Sequence, residues 1–351
     1  MPVRIGYKAS AEQFGPGELL DYARHAEELG LEIVAISDHF QPWRHTGGHG
    51  PAALPWLAAA GQRTTSAVIG TSVLTPTLRY HPSVIAQAFA TLAVLTPGRV
   101  FLGVGTGEAM NETPVTGGEF PGRKERRQRL AEAIELIRLL WTSERVDFDG
   151  RFYRTRKATV YDRPDQPVPI YVAASGPLAA KLAGRAGDGF ICTSGKDPAL
   201  YDELLGAVAE GAEAAGRDPG PIRRMIEIKV SYDRDAERAL TNCHPWAALA
   251  LKPEQKEGIH DPIEMERVAD ANLDQAPSRF IVANDPAAIV DGIARYVDLG
   301  FDELVLHLPG ADQRDSLEQF AADVLPALRE RTGSAQPQAV DSHHAADVRL
   351  D

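Results

Sequence analysis

Asp38 and His39 follow directly on the apolar run EIVAIS (Glu32–Ser37), and Trp43, Arg44, His45, Gly47, Gly48 and His49 come close behind. An imidazole beside carboxylates is an acid–base set that can pass a proton at neutral pH. Further candidates stand just past other apolar runs: Glu12 after VRIGYK, Thr75 after AVIGTSVL and Glu108 after VFLGVGTG. Ser175-Gly176, Thr193, Lys196 and His307 occupy the same kind of place later in the chain. Buried strands that deliver polar groups at their carboxyl ends are where α/β enzymes keep their sites. The plainer reading of Ser37–Pro51, a polar turn with incidental histidines, does not account for the recurrence.

Other chemistries lack their residues. No GxSxG elbow and no HExxH occurs, so acyl transfer and metalloprotease chemistry have no support. Cys192 and Cys243 are too few and too far apart for a disulfide framework or a thiolate zinc site, and His343-His344 has no partners at ligand spacing. No metal is expected. The net charge of −12 argues against nucleic acid and anionic membranes as partners. Lys196 in TSGK, Lys256 in EQK and Arg279 in SRF are each, singly, ordinary surface cations. Together, in an acidic protein, they could hold a phosphate, with a hydroxyl from Thr193.

The elements that must position these groups alternate. Eight strand-like runs, at residues 3–8, 32–37, 67–74, 100–107, 169–175, 189–195, 225–232 and 303–310, are separated by helical patterns. Their hydrophobicity is mostly continuous, as in strands buried on both faces of a parallel sheet. Eight units favour an α/β fold of the (β/α)8 barrel type over a doubly wound sheet, because no GxGxxG follows the first strand. A helix is expected over about Lys124–Thr142 and a small hairpin over Arg145–Arg154, turning at Asp149-Gly150. One barrel domain would span 1–331, with insertions at about 111–122 and 233–279 acting as lids or pocket walls. The tail from 332 to 351 is expected to be disordered. No apolar run approaches bilayer length and no signal-peptide architecture is present, so a soluble cytoplasmic protein is expected.

Longer motifs add a resemblance. GYKASAEQF, SDHFQPWRHTGGH, GTSVLTPTLRY, VFLGVGTGEAMNE, GRAGDGFICTSGK and MIEIKVSY resemble the deazaflavin (coenzyme F420)-dependent glucose-6-phosphate dehydrogenases of the luciferase-like barrel superfamily, from about Val3 to Arg331. The resemblance implies hydride transfer from C1 of glucose 6-phosphate to C5 of F420, giving 6-phosphogluconolactone. His39 would assist loss of the C1 hydroxyl proton, and Glu108 would be the second acid–base group. Trp43 would stabilise positive charge near C1, and Glu12 would place the sugar or orient the imidazole. Thr193, Lys196, Lys256 and Arg279 match the phosphate-binding positions. Asp38, Thr75, Thr106, Gly107, Asn111, Ser175, Gly176, Leu178 and Ala179 match the cofactor-binding ones, and Ser72-Val73 matches a non-proline cis peptide that backs the ring. Where the family commonly reads GGP, this chain has Ser175-Gly176-Pro177. The resemblance also implies a homodimer. Alternatives are a broader sugar-6-phosphate dehydrogenase, a flavin mononucleotide monooxygenase of the same superfamily, and a silent deazaflavin-binding protein.

Overall fold

A computed structural model describes residues 2–334. Eight parallel strands close into a barrel: β1 (Arg4–Ala9), β2 (Ile33–Ile36), β3 (Val68–Thr71), β4 (Val100–Val104), β7 (Ile170–Ala173), β8 (Gly189–Thr193), β9 (Arg223–Tyr232) and β11 (Glu303–His307). β1 pairs with β2 and with β11, and β8 pairs with β9, so the ring has no edge there. Between β4 and β7 lies an antiparallel hairpin of β5 (Val146–Asp149) and β6 (Arg154–Ala158). The hairpin is longer than its sequence suggests: Gly150 N donates to Tyr153 O across the turn, and pairing continues to Ala158. A short β10 (Ile281–Ala283), not evident in the sequence, adds in parallel to the far end of β9.

Helices cover the outside, and their starts are written locally. Asp-Pro pairs open the helices Pro198–Glu213, Pro262–Asp270 and Pro286–Asp298. In each, the Asp side chain accepts from the N–H two residues on while proline takes the position that needs no donor. Each such cap contributes about 1 kcal/mol. The helix Arg123–Thr142 buries Leu130, Ile134, Ile137 and Trp141 on one face, as its spacing predicts.

Strand alternation sorts the barrel interior into layers. Ile33, Ala35, Phe101, Tyr171, Ile191, Met225 and Val305 form an apolar plug. At the amino end it is closed by Glu303, which takes the guanidinium groups of Arg4 and Arg223 and the hydroxyl of Tyr171. Two to four residues further along the strands the interior becomes ionisable: Lys8, Glu227, Lys229 and His307 all point inward. Hydrophobicity read run by run hides this change.

Segment 111–122, expected to be an excursion, begins inside a helix (Ala109–Thr116) that ends at Gly117 with φ +65°. Segment 233–279 builds a small core from Cys243, Ala247, Leu251 and Met265, joined by Met110 of that helix, with Trp43 packed against it. The helix Leu325–Thr332 is capped by Gly333, so the tail expected to be disordered from 332 starts as ordered backbone through Ser334; the rest of it, with His343-His344, lies outside the described residues. No helix of the described residues is long and apolar enough to cross a membrane. Among them no group of three or more His, Cys, Asp or Glu is placed to hold a metal ion.

Candidate active site

The loops that follow β1, β2 and β4 bring the acid–base residues together. His39 Nδ1 lies 3.0 Å from Glu12 Oε1, and its Nε2 lies 3.8 Å from Glu108 Oε2. Ser37 Oγ donates to the same oxygen of Glu12 at 2.9 Å, fixing the carboxylate from the end of the strand. Trp43 stands edge-on to the imidazole, ring centroids 5.9 Å apart. Burial favours the neutral forms of both groups, but their ion pair outweighs it. Glu12 is held down at about 2 and His39 is pushed above its ordinary value, Glu108 adding to the effect.

A buried network supports this pair from below. Lys8 Nζ lies 3.1 Å from Glu227 Oε2 and also donates to the carbonyl of Ser72, while Lys229 Nζ is 3.0 Å from Glu227 Oε1. Burial alone would raise Glu227, yet Lys8 and Lys229 hold it well below the carboxylate range. His307 sits edge-on to Trp246 at 4.3 Å, and burial pushes it down to about 3, so it is a neutral wall at physiological pH.

The positions assigned by resemblance to a cofactor follow the carboxyl ends of β2, β3, β4 and β7, on the same face of the barrel. The peptide bond Ser72–Val73 is cis. Val73 O accepts from Asp38 N at 3.3 Å, and a Cβ at Gly105 would meet Val73 at 2.7 Å, so the wall behind the mouth is tight. Gly107 adopts φ +83° against Thr75, a conformation glycine alone adopts freely. Arg126 reaches Gly107 O at 3.2 Å and Thr106 Oγ1 at 3.4 Å. Asn111 Oδ1 accepts from the backbone N–H groups of Phe40 and Gln41, pinning the His39 loop to the helix that carries Asn111. Gly176 caps the helix Pro177–Ala186 with open space before it, and Ser175 and Leu178 are exposed beside it while Ala179 lies half-buried in the first turn. Such a helix start suits an anionic group.

Asp38 is engaged within the protein. Its Oδ2 takes Arg79 at 3.0 Å and its Oδ1 takes Ala53 N at 3.1 Å. Arg79 also pairs with Glu112 at 3.2 Å, all three side chains nearly out of solvent. Sequence reasoning passed over Arg79 and Glu112, although Arg79 lies inside the conspicuous TPTLRY run.

Across the mouth stand the three cations. Arg279 Nη1 donates to Gly195 O at 2.9 Å, beside Lys196, whose own N–H is held by Tyr201 Oη at 3.0 Å. Tyr201 also anchors Thr193 through its carbonyl at 3.1 Å, leaving the exposed threonine side chain free to turn outward. Lys256 Nζ lies 5.6 Å from the Trp43 ring centroid, which joins the cationic side to the acid–base side. Burial lowers the pKa of Lys196 and Lys256, and neighbouring Arg279 lowers both further. Three cations gathered at one place in an acidic protein make this a candidate site for an anion.

Residues 1–303 match the family model described as luciferase-like monooxygenase. F420-dependent glucose-6-phosphate dehydrogenase of Intrasporangium calvum is 59% identical over 331 residues, 93% of this chain and 99% of that protein. The Kribbella flavida protein of the same name is 60% identical, with 94% of this chain and 99% of that one covered. Among solved structures, an F420-dependent secondary alcohol dehydrogenase in complex with an F420-acetone adduct superposes with a TM-score of 0.88 at 35% identity, covering 94% of this chain and all of that one. The chain belongs to the luciferase-like family and groups within it with the F420-dependent glucose-6-phosphate dehydrogenases.

Proposed function

We propose that this protein oxidises glucose 6-phosphate at C1 to 6-phosphogluconolactone, with coenzyme F420 as the hydride acceptor. The observation that carries the reading is the pairing, across one barrel mouth, of the Glu12–His39–Glu108 set with Lys196, Lys256 and Arg279. Relatives of this name at 59% and 60% identity support it.

When bound, F420 supplies a deazaflavin ring that takes the hydride from C1. The residues at the mouth fit such a group: a wall at Val73, close approach at Gly107, and an open helix start at Gly176 for the phosphate of its arm. His39 Nε2, the ring nitrogen that Glu12 does not engage, accepts the C1 hydroxyl proton as the C–H bond breaks. Glu12 holds the ring in one orientation and stabilises the imidazolium that results. Glu108, beside Nε2, is the second proton carrier. The indole face of Trp43 stabilises positive charge as it grows at C1. Lys196, Lys256 and Arg279, with the Thr193 hydroxyl, bind the 6-phosphate and fix the distance from it to C1. A monooxygenase would have no use for that distal anion site. The same reading makes the protein a cytoplasmic homodimer whose two cysteines stay reduced; both are free and buried.

The test is the absorbance of the purified protein mixed with oxidised F420 and sugar. Loss of the deazaflavin band with glucose 6-phosphate, and not with glucose, is the expected result. Bound cofactor that is not bleached by the phosphorylated sugar would overturn the substrate assignment; equal bleaching by glucose would overturn the role of the cations.

A further inference from the structure

Arg44 lies in the stretch that supplies His39 and Trp43, yet neither proton transfer nor anion binding uses it. Its guanidinium reaches the helix Pro262–Asp270: Nη1 is 2.6 Å from Asp270 Oδ1, and Nη2 is 3.2 Å from Asp270 Oδ2 and 2.9 Å from Glu266 Oε1. Glu266 answers in the other direction, its Oε2 accepting from the backbone N–H groups of His45 at 3.0 Å and Thr46 at 2.8 Å. Three consecutive residues of the His39 loop are therefore tied to one helix of the 233–279 segment. That segment also carries Lys256 and Arg279, whereas Lys196 hangs directly from β8.

An isolated exposed ion pair contributes little, but a two-pronged Arg–carboxylate fork joined to two backbone donors fixes geometry. Such geometry is needed here. Three cations that repel one another gather only if something else holds their supports in place before the anion arrives, and that preorganisation strengthens binding.

We propose that Arg44 is a positioning residue for the substrate's phosphate, clamping Glu266 and Asp270 so that Lys256 and Arg279 converge on Lys196. The proposal rests on the reading of those cations as the phosphate site. Arg44 touches no anion itself; it sets where the others stand.

Calorimetric titration of the F420-loaded protein with inorganic phosphate tests it without needing turnover, alongside KM for glucose 6-phosphate. In Arg44→Met, the phosphate Kd and the KM are expected to rise together by about tenfold, with kcat and F420 affinity within about twofold of the wild type. Arg44→Lys, which keeps the charge but loses the fork, should recover part of the loss. If Arg44→Met does not fold, Asp270→Asn and Glu266→Gln, which undo the clamp from its other side, carry the same expectation. Wild-type phosphate affinity in these variants, or a higher KM without a weaker phosphate Kd, overturns the proposal. Failure of the wild-type protein to bind phosphate would sink the phosphate site along with it.

Discussion

Glu12 Oε1 stands 3.0 Å from His39 Nδ1, so one ring nitrogen is committed to the protein and the other is left to the chemistry. The pair also sets the pH at which the imidazole can act. Burial pulls the His39 pKa down, but the Glu12 carboxylate more than offsets it and leaves the value above 6.5. The acid limb of kcat/KM should follow that raised value. Glu12→Gln removes the negative charge, so the limb should move to lower pH, while kcat falls by roughly 10- to 100-fold through loss of orientation. A pH–rate profile of the variant against the wild type reads both effects, and an unmoved acid limb would remove Glu12 from this role.

The cations should act on the phosphorylated end alone. Arg279→Met or Lys196→Met removes a charge-assisted contact of about 1.5–3 kcal/mol, or roughly 10- to 100-fold in kcat/KM for glucose 6-phosphate. The dissociation constant of F420, measured by fluorescence quenching, should stay unchanged.

Arg79 is expected to matter for stability more than its place in a loop suggests. Its guanidinium pairs with Asp38 at 3.0 Å and Glu112 at 3.2 Å, with all three side chains at 8% exposure or less. Arg79→Met strands two buried carboxylates and should cost about 3–5 kcal/mol, seen in urea unfolding. Cofactor binding should weaken with it, because Arg79 holds Asp38 just past the end of β2 and Glu112 next to Asn111, both among or beside the proposed cofactor positions.

Acid stability should carry the signature of His307. Burial holds it at about 3 against 6.5 in an unfolded chain. Below pH 6.5 the unfolded state takes up a proton that the folded state refuses, so this contribution is intact above 6.5 and is lost as pH falls toward 3. The slope is about 1.4 kcal/mol per pH unit for one proton. His307→Asn should flatten that part of the stability–pH curve, measured by denaturant melts at several pH values.

Much of this molecule is local in the chain. Apolar runs of strand length, Asp-Pro helix starts and the stripe through Leu130, Ile134, Ile137 and Trp141 depend on neighbours a few residues away, so they can be read without a structure. The polar ends of those runs point to one mouth because parallel strands in a barrel all finish on the same face. That is why His39, Glu12, Glu108 and Trp43 can be grouped from the sequence alone. What only the tertiary structure decided is which charges are consumed by one another. Lys8 meets Glu227 across 219 positions of sequence and Arg44 meets Asp270 across 226. Strand register and the docking of the 233–279 segment create these contacts, and neither leaves a periodic trace. Asp38 shows the difference: its place at a strand end was legible, but its engagement by Arg79 and Ala53 depends on a loop and a helix folding back over it.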